Sequence, residues 1–172
     1  AQLGIAPSHV DGHQHLHLIP GVFPAVVEQA RQRGVGFIRT HLGDPWQTPG
    51  RLARRGIALA MAGLGWLSWS RVSNRAGVRP FTTIGFIGAG GSLTVDGIMA
   101  ALERLRQRRR PPEIVEVMLH PGQRDAAAVA RYGHWHYHWE NDLALLCDRR
   151  LRAWLPERGY EVTSFGALAS HG

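Results

Sequence analysis

The sequence contains no lysine and a single cysteine among its 172 residues. One cysteine excludes an internal disulfide, so the fold requires no oxidising compartment and we expect a cytoplasmic location. That residue, Cys147, follows the apolar run 143–146, a context that predicts a small core residue rather than a nucleophile. The nearly continuous apolar stretch 57–69 is too short to span a bilayer. These scarcities predict neither a disulfide scaffold nor a membrane-spanning segment.

All twenty basic residues are therefore arginine, and the formal net charge is +7. The arginines are scattered between Arg31 and Arg158, with one cluster at 106–110. Nucleic-acid binders usually concentrate both lysine and arginine on one face. We interpret the arginine usage as the codon bias of a GC-rich genome and the cluster as the solvated end of a helix. We expect no nucleic-acid partner, and salt-dependent duplex binding would be the sign of that rival function.

The length and the 44% hydrophobic content predict one globular domain, 1–172, rather than a disordered chain. Hydrophobic periodicity predicts alternating strands and helices, the order of an α/β protein with a parallel sheet or barrel. The predicted strands are 9–17, 35–40, 114–119 and 160–164, and the segment 81–87 fits either a strand or a substrate loop. The predicted helices are 22–33, 94–106, 140–147 and 148–158.

The opening segment places polar side chains at every second position. In an extended strand these side chains would share one face. Imidazole is the commonest protein ligand of zinc, and a neighbouring carboxylate serves as a further ligand or fixes the tautomer of a ring. We predict a metal site on this face, with a solvated histidine-rich loop as the alternative. The residues are His9, Asp11, His13, His15 and His17.

Two later positions lie where parallel strands end, which is where ligand sites gather in such folds. Arg39 closes the predicted strand 35–40, and either a substrate contact or a structural ion pair fits this position. His120 follows the strand 114–119 and is held by the turn Pro121-Gly122, so it is well placed for general acid or base chemistry.

Two aromatic segments leave alternatives open. The stretch 57–69 contains Trp66 and Trp69 and has arginines on both sides. A buried helix fits it, and so does an interfacial helix or a lid over a lipid substrate. The stretch 134–139 alternates histidine with aromatic residues, and we rank it as a cleft wall, then a structural cluster, then a second metal site.

Taken together, these motifs resemble the YdjC-type carbohydrate deacetylases. The resemblance rests on the segment 9–17 with Pro20, on the segment 116–122, and on the terminal pattern from 143 to 165. It implies a distorted (β/α) barrel-like fold and a divalent metal ion, Mg²⁺ or Zn²⁺, that helps to remove acetyl groups from N-acetylated amino sugars. It also implies residue roles: catalytic His120 and Asp11, metal ligands His13 and His9, and substrate contacts from Arg39, Trp135, His15 and His17.

The chain departs from that family in lacking its Asp-Asp-Phe-Gly motif and a further metal histidine. We therefore expect the rear portion of such a barrel, incomplete at its N-terminal side. Segments 37–40 and 85–94 are most similar to the branch associated with hopanoid biosynthesis, which implies a glycolipid substrate and peripheral membrane contact. A rival function is a catalytically incomplete remnant that binds a sugar, a lipid or a partner chain, and exposed strand edges would favour a homo-oligomer.

Overall fold

The computed structural model describes residues 6–40, 52–72, 77–85, 93–135 and 137–170. Within these ranges, strands and helices alternate at first, and helices alone follow. The strands are β1 (His9–Val10), β2 (Phe37–Thr40), β3 (Arg79–Ile84) and β4 (Val115–Val117). The α-helices are α1 (Phe23–Gln32), α2 (Leu52–Ser70), α3 (Val95–Arg106), α4 (Ala126–Tyr132), α5 (Trp139–Leu146), α6 (Arg149–Glu157) and α7 (Phe165–Ser170). Residues His13–Leu18 and Gly133–Trp135 form 3₁₀ helices.

The strands form one parallel sheet in the order β1-β2-β3-β4. An α-helix lies between each strand and the next, so the chain repeats a strand-helix-strand unit. This pattern confirms the predicted α/β class and is consistent with a distorted barrel, in which sequential parallel strands are neighbours.

The two faces of the sheet differ in character. Val10, Ile38 and Ile84 point to one face. There Val10 and Ile38 join a first apolar cluster with α1 and α2, and Ile84 joins a second apolar cluster with α3. By strand alternation, Phe37 and Arg39 point to the opposite face. We call the opposite face the site face, because its polar residues form the cluster described below.

Helix α1 shows why the sequence patterns predicted the helices well. Its buried residues Phe23, Val27 and Ala30 are spaced by four and three positions, which places them on one side of a helix. Gly34 then adopts a φ of +69°, the left-handed conformation that ends many helices and that glycine adopts without strain. The predicted helix 22–33 is confirmed.

Helix α2 contains the apolar stretch 57–69 and confirms a helix there, but the helix is only partly buried. Met61, Leu64 and Trp69 pack against the first apolar cluster, but the side chains of Leu59 and Trp66 are 50% and 64% exposed. The helix therefore buries one side only, because the sheet offers it a single face to cover. Among the described residues, no helix is both long and apolar enough to cross a membrane.

Two further predictions at the C-terminal end are wrong. Cys147 is exposed, because it follows the last residue of α5 instead of lying on its packed side. Residues 160–164 form no strand. Tyr160 instead donates its hydroxyl hydrogen to the Leu102 carbonyl, 2.8 Å away, and stacks on Trp154, which anchors this segment to helices.

Candidate active site

Polar side chains from all four strands meet on the site face. Asp11 directly follows β1, Arg39 is the third residue of β2, Thr83 lies near the end of β3, and Glu116 is the central residue of β4. Arg39 pairs with Phe81 in the register of the sheet, and Thr83 pairs with Glu116. These side chains therefore gather toward the carboxyl ends of the strands, the edge at which parallel α/β folds place their ligand sites.

Arg39 is the centre of this cluster. Its Nε donates a hydrogen bond to Glu116 Oε2 at 2.8 Å, and its Nη2 donates to the other carboxylate oxygen, so the pair is bidentate. Its Nη1 donates to Asp11 Oδ1. Thr83 adds a hydroxyl hydrogen bond of 2.9 Å to Glu116 Oε2. One cation thus contacts two carboxylates that belong to opposite edges of the sheet.

Burial makes these contacts matter energetically. The side chain of Arg39 is 7% exposed, that of Glu116 is 19% exposed and that of Asp11 is 38% exposed. A buried guanidinium that loses a partner remains desolvated without compensation, and such losses are strongly destabilising. The structural ion pair foreseen for Arg39 is therefore present, and this geometry does not test a substrate contact.

The histidine segment does not form the extended strand that its alternation predicted. Only His9 and Val10 pair with β2, and a turn follows in which the His15 N–H donates to the Gly12 carbonyl at 2.9 Å. A 3₁₀ helix has three residues per turn, so every second side chain points in a new direction. His13 is accordingly exposed, whereas His15 and His17 are both 6% exposed.

The two buried histidines are neutral rings at pH 7. Burial lowers the pKa of His15 to about 4, and the positive charge of Arg39 adds to this effect. Burial also lowers the pKa of His17. His17 Nε2 lies 2.9 Å from the Arg39 carbonyl, and because a carbonyl only accepts, Nε2 carries the proton of this ring. His17 thereby fixes its own tautomer through the backbone of β2.

His9 lies apart from the other histidines. Its ring stacks on Phe165 of α7 at a centroid distance of 4.3 Å, and its Nδ1 lies 3.1 Å from the Ser8 hydroxyl. The predicted single face from His9 to His17 is therefore wrong. Among the described residues, no group of three or more histidine, cysteine or acidic side chains is arranged to hold a metal ion.

His120 occupies the predicted position beyond the end of β4. Its backbone N–H donates to Oδ2 of the fully buried Asp142 at 2.8 Å. Its ring stacks on Tyr137, with centroids 5.3 Å apart, and Tyr137 meets Trp139 edge to face. The aromatic segment 134–139 thus places Tyr137 directly against His120.

Some predicted residues fall outside what the structure describes. His136 of the segment 134–139 is not among the described residues, and the side chain of Trp135 is not described either.

Sequence reasoning missed Glu116, Thr83 and Asp142. Glu116 gave a detectable signal, because a carboxylate between Val115 and Val117 interrupts an apolar strand, and buried acidic residues are usually paired. Asp142 gave none, since an acidic residue near the start of a helix is ordinary.

The fold and the site define a barrel-like α/β protein with a polar centre at the carboxyl ends of its strands. Within that class, the chain belongs to the YdjC-like protein family, whose sequence model matches residues 1–157. The family resemblance seen in the sequence is therefore confirmed.

Several curated relatives carry deacetylase names. The carbohydrate deacetylase of Mus musculus is 27% identical over 189 residues, which cover 98% of this chain and 57% of the relative. That of Homo sapiens is 30% identical over 191 residues, with 98% and 55% covered. A chitooligosaccharide deacetylase of Salmonella typhimurium is 26% identical over 162 residues, with 94% and 53% covered. The chain spans about half the length of these relatives. No solved structure matches the chain.

Proposed function

We propose that this chain takes part in removing an acetyl group from an N-acetylated amino sugar by hydrolysis of the amide bond. The observation that carries the proposal is the polar cluster of Asp11, Arg39 and Glu116 at the carboxyl ends of parallel strands, in a member of a family whose named relatives are carbohydrate deacetylases. Such a cluster supplies the charged groups that amide hydrolysis requires.

The reaction needs one group that accepts a proton from water and one that gives a proton to the departing amine. Two carboxylates pair with Arg39, and the side chain of Asp11 is more exposed than that of Glu116. We therefore assign Asp11 as the base. His120 is assigned as the acid. Once water has added to the acetyl carbon, a proton given to the amide nitrogen lets the C–N bond break and the nitrogen leave as a neutral amine. Its backbone bond to Asp142 and the stack on Tyr137 orient its ring.

Substrate contacts are proposed for Arg39, His15, His17 and Trp135. A neutral imidazole suits the hydroxyl groups of a sugar, because its unprotonated nitrogen accepts a hydrogen bond. In His17 that nitrogen is Nδ1, since Nε2 already donates to the Arg39 carbonyl. The buried positions of His15 and His17 restrict such contacts to groups that enter the cluster itself.

A divalent metal ion, Mg²⁺ or Zn²⁺, is also proposed, with His13 and His9 as ligands. The described residues alone do not fit such an ion, because no three potential ligands converge and His9 packs beneath α7. The roles of Asp11 and His120 are therefore argued without it. Calorimetric titration of wild type and of His13→Ala with each ion measures the metal affinity of both proteins. Equal affinity would refute the role of His13.

A glycolipid form of the substrate and peripheral membrane contact are finer proposals. The exposed Trp66 of α2 supports them, since an aromatic residue on an apolar helix is suited to a lipid interface. The fluorescence of tryptophan in wild type and in Trp66→Phe, with and without anionic vesicles, tests the contact. A blue shift that persists in Trp66→Phe would show that a surface other than α2 contacts the vesicles.

Acetate release from N-acetylglucosamine oligomers and from acetylated glycolipids tests the function. His120→Asn is expected to abolish turnover, whereas His134→Asn, which alters an exposed histidine, should retain it. The rival function is a catalytically incomplete remnant that only binds a sugar, a lipid or a partner chain. Oligosaccharide binding without acetate release, with and without added metal, would establish the remnant and overturn the enzyme.

A further inference from the structure

Arg39 contacts the histidine turn on both of its sides. Its guanidinium donates to Asp11, just before the turn, and its carbonyl oxygen accepts from His17 Nε2 near the end of the turn at 2.9 Å. Both contacts come from a single residue of β2, so the position of that residue determines where the segment 11–17 lies. His13, the exposed histidine of this segment, lies in the chain between the two residues that Arg39 contacts.

Packing also holds the turn, because Leu18 at its end is fully buried in the first apolar cluster and the His17 ring lies against that of Phe23. Strand pairing ends at Val10, and the 3₁₀ helix begins without a side-chain cap at Gly12. A side chain at Gly12 would collide with the His17 ring, so the two residues are packed together within the turn. Beyond these contacts, the Ser68 hydroxyl donates to the Leu18 carbonyl at 2.6 Å. Arg39 thus links the turn to the sheet at both of its ends.

Glu116 in turn determines the orientation of Arg39. Its two oxygens accept from Nε and Nη2, which fixes the plane of the guanidinium and leaves Nη1 directed at Asp11. Thr83 holds the same carboxylate with a 2.9 Å hydrogen bond. Glu116 lies two strands away from Arg39, about 10 Å across the sheet, so the side chains must span β3 to meet.

We propose that Glu116 is a positioning residue, which acts through Arg39 to hold the segment from Asp11 to His17 in its working geometry. Its catalytic consequence rests on the proposed function, but its structural consequence does not. In this assignment the Arg39 side chain, which is 7% exposed and has two carboxylate partners, links Glu116 to the segment 11–17.

The test compares Glu116→Gln with Glu113→Gln. The glutamine amide has nearly the same size, but its NH₂ group would face the Nη2 donor of Arg39, so one of the two bonds is lost. Glu113 provides a matched control, because it pairs with Arg79 of β3 at 3.3 Å and both partners are exposed. The melting temperature of each variant verifies that it folds.

The first measurement is independent of activity. In protein labelled with ¹⁵N-histidine, the Nε2–H of His17 should exchange slowly with water, since it bonds to a buried backbone carbonyl. We expect Glu116→Gln to accelerate this exchange about tenfold or more and to shift the His17 ring signals, while Glu113→Gln leaves both unchanged. Unchanged His17 signals in a folded Glu116→Gln protein would overturn the proposal, whatever the activity.

The second measurement separates positioning from substrate binding. If acetate release is detected, Glu116→Gln should lower kcat about tenfold or more and change KM less than twofold, because a small displacement of reacting groups slows chemistry steeply. A raised KM with unchanged kcat would overturn the positioning role and assign the cluster to substrate binding. If wild type releases no acetate while the His17 signals respond as expected, the proposed function fails and the positioning of the turn stands.

Discussion

His15 combines three properties that are unusual for a histidine. It is buried, it adopts a φ of +58°, and its pKa is lowered to about 4. Residues other than glycine rarely adopt this backbone conformation, and such outliers concentrate at functional sites. The neighbouring contacts of Arg39 with Asp11 and His17 hold the chain in this state.

The lowered pKa of His15 predicts a stability that depends on pH. The unfolded chain binds a proton near pH 6.5, whereas the folded chain does so only near pH 4. The free energy of unfolding should therefore fall as the pH decreases through this window, by up to about 3 kcal/mol from this residue. His17, whose pKa is also lowered by burial, adds in the same direction. Urea unfolding at several pH values, with a chelator present, measures this loss.

Two variants separate His15 from the other titrating groups. His15→Asn removes the ionisable ring and retains a residue that tolerates a positive φ, so its stability should vary less between pH 7 and pH 4.5. His134→Asn alters an exposed histidine and should retain the slope of the wild type. Parallel pH profiles for His15→Asn and wild type would show that His15 does not cause the loss.

At the scale of elements, α3 and α4 begin with similar caps but differ in packing. The Thr94 hydroxyl accepts from the Gly97 N–H at 3.0 Å, and the Asp125 carboxylate accepts from the Ala128 N–H at 2.7 Å. Helix α3 buries five residues in the second apolar cluster, whereas α4 buries none. The two caps should therefore contribute differently to global stability.

We expect Thr94→Ala to lower the free energy of unfolding by about 1 kcal/mol, the usual contribution of such a cap. Asp125→Ala should change it by less than half of that amount, because a helix without buried residues opens locally before the core unfolds. Chemical denaturation followed by circular dichroism measures both. An equal or larger loss for Asp125→Ala would show that α4 unfolds together with the core.

Elements were predictable from the sequence where one apolar side repeats at a regular period. Helices α1 and α3 show this, since the positions that the period marks are those that the sheet buries. The histidine segment misled because a strand extends only where it has a partner, and pairing with β2 ends at Val10, where local alternation gives no warning. The exposure of Cys147 and Trp66 depends on which side of a helix the sheet covers, which local sequence does not encode.

At the scale of the whole molecule, the site depends on distant contacts. Arg39 meets Asp11 across 28 positions and Glu116 across 77. Parallel topology predicted that the ends of strands would meet, so the region of Arg39 and His120 was predictable. Their partners were not, because the register of β2, β3 and β4 decides which side chains face each other.

The same topology leaves β1 at an edge of the described sheet. Beside it runs an apolar groove of about 350 Å³, between β1 and α1. Val22, which is 43% exposed, contributes to its wall. Unpaired strand edges and apolar patches favour association with another chain. We therefore predict that the protein forms a homo-oligomer through the edge of β1 and this groove.

Sedimentation velocity over a range of concentrations tests this prediction with two charge substitutions. Val22→Glu places a carboxylate in the groove and should shift the protein toward its monomer mass, because association would bury the charge without a partner. Val162→Glu adds the same charge at a residue that is 78% exposed and lies outside the groove, so it should retain the behaviour of the wild type. A monomer at every concentration, or equal behaviour of the two variants, would exclude this surface as the interface. A shift to the monomer mass in Val22→Glu alone would show that the protein associates through the groove beside β1, the strand that leads directly into Asp11 of the site.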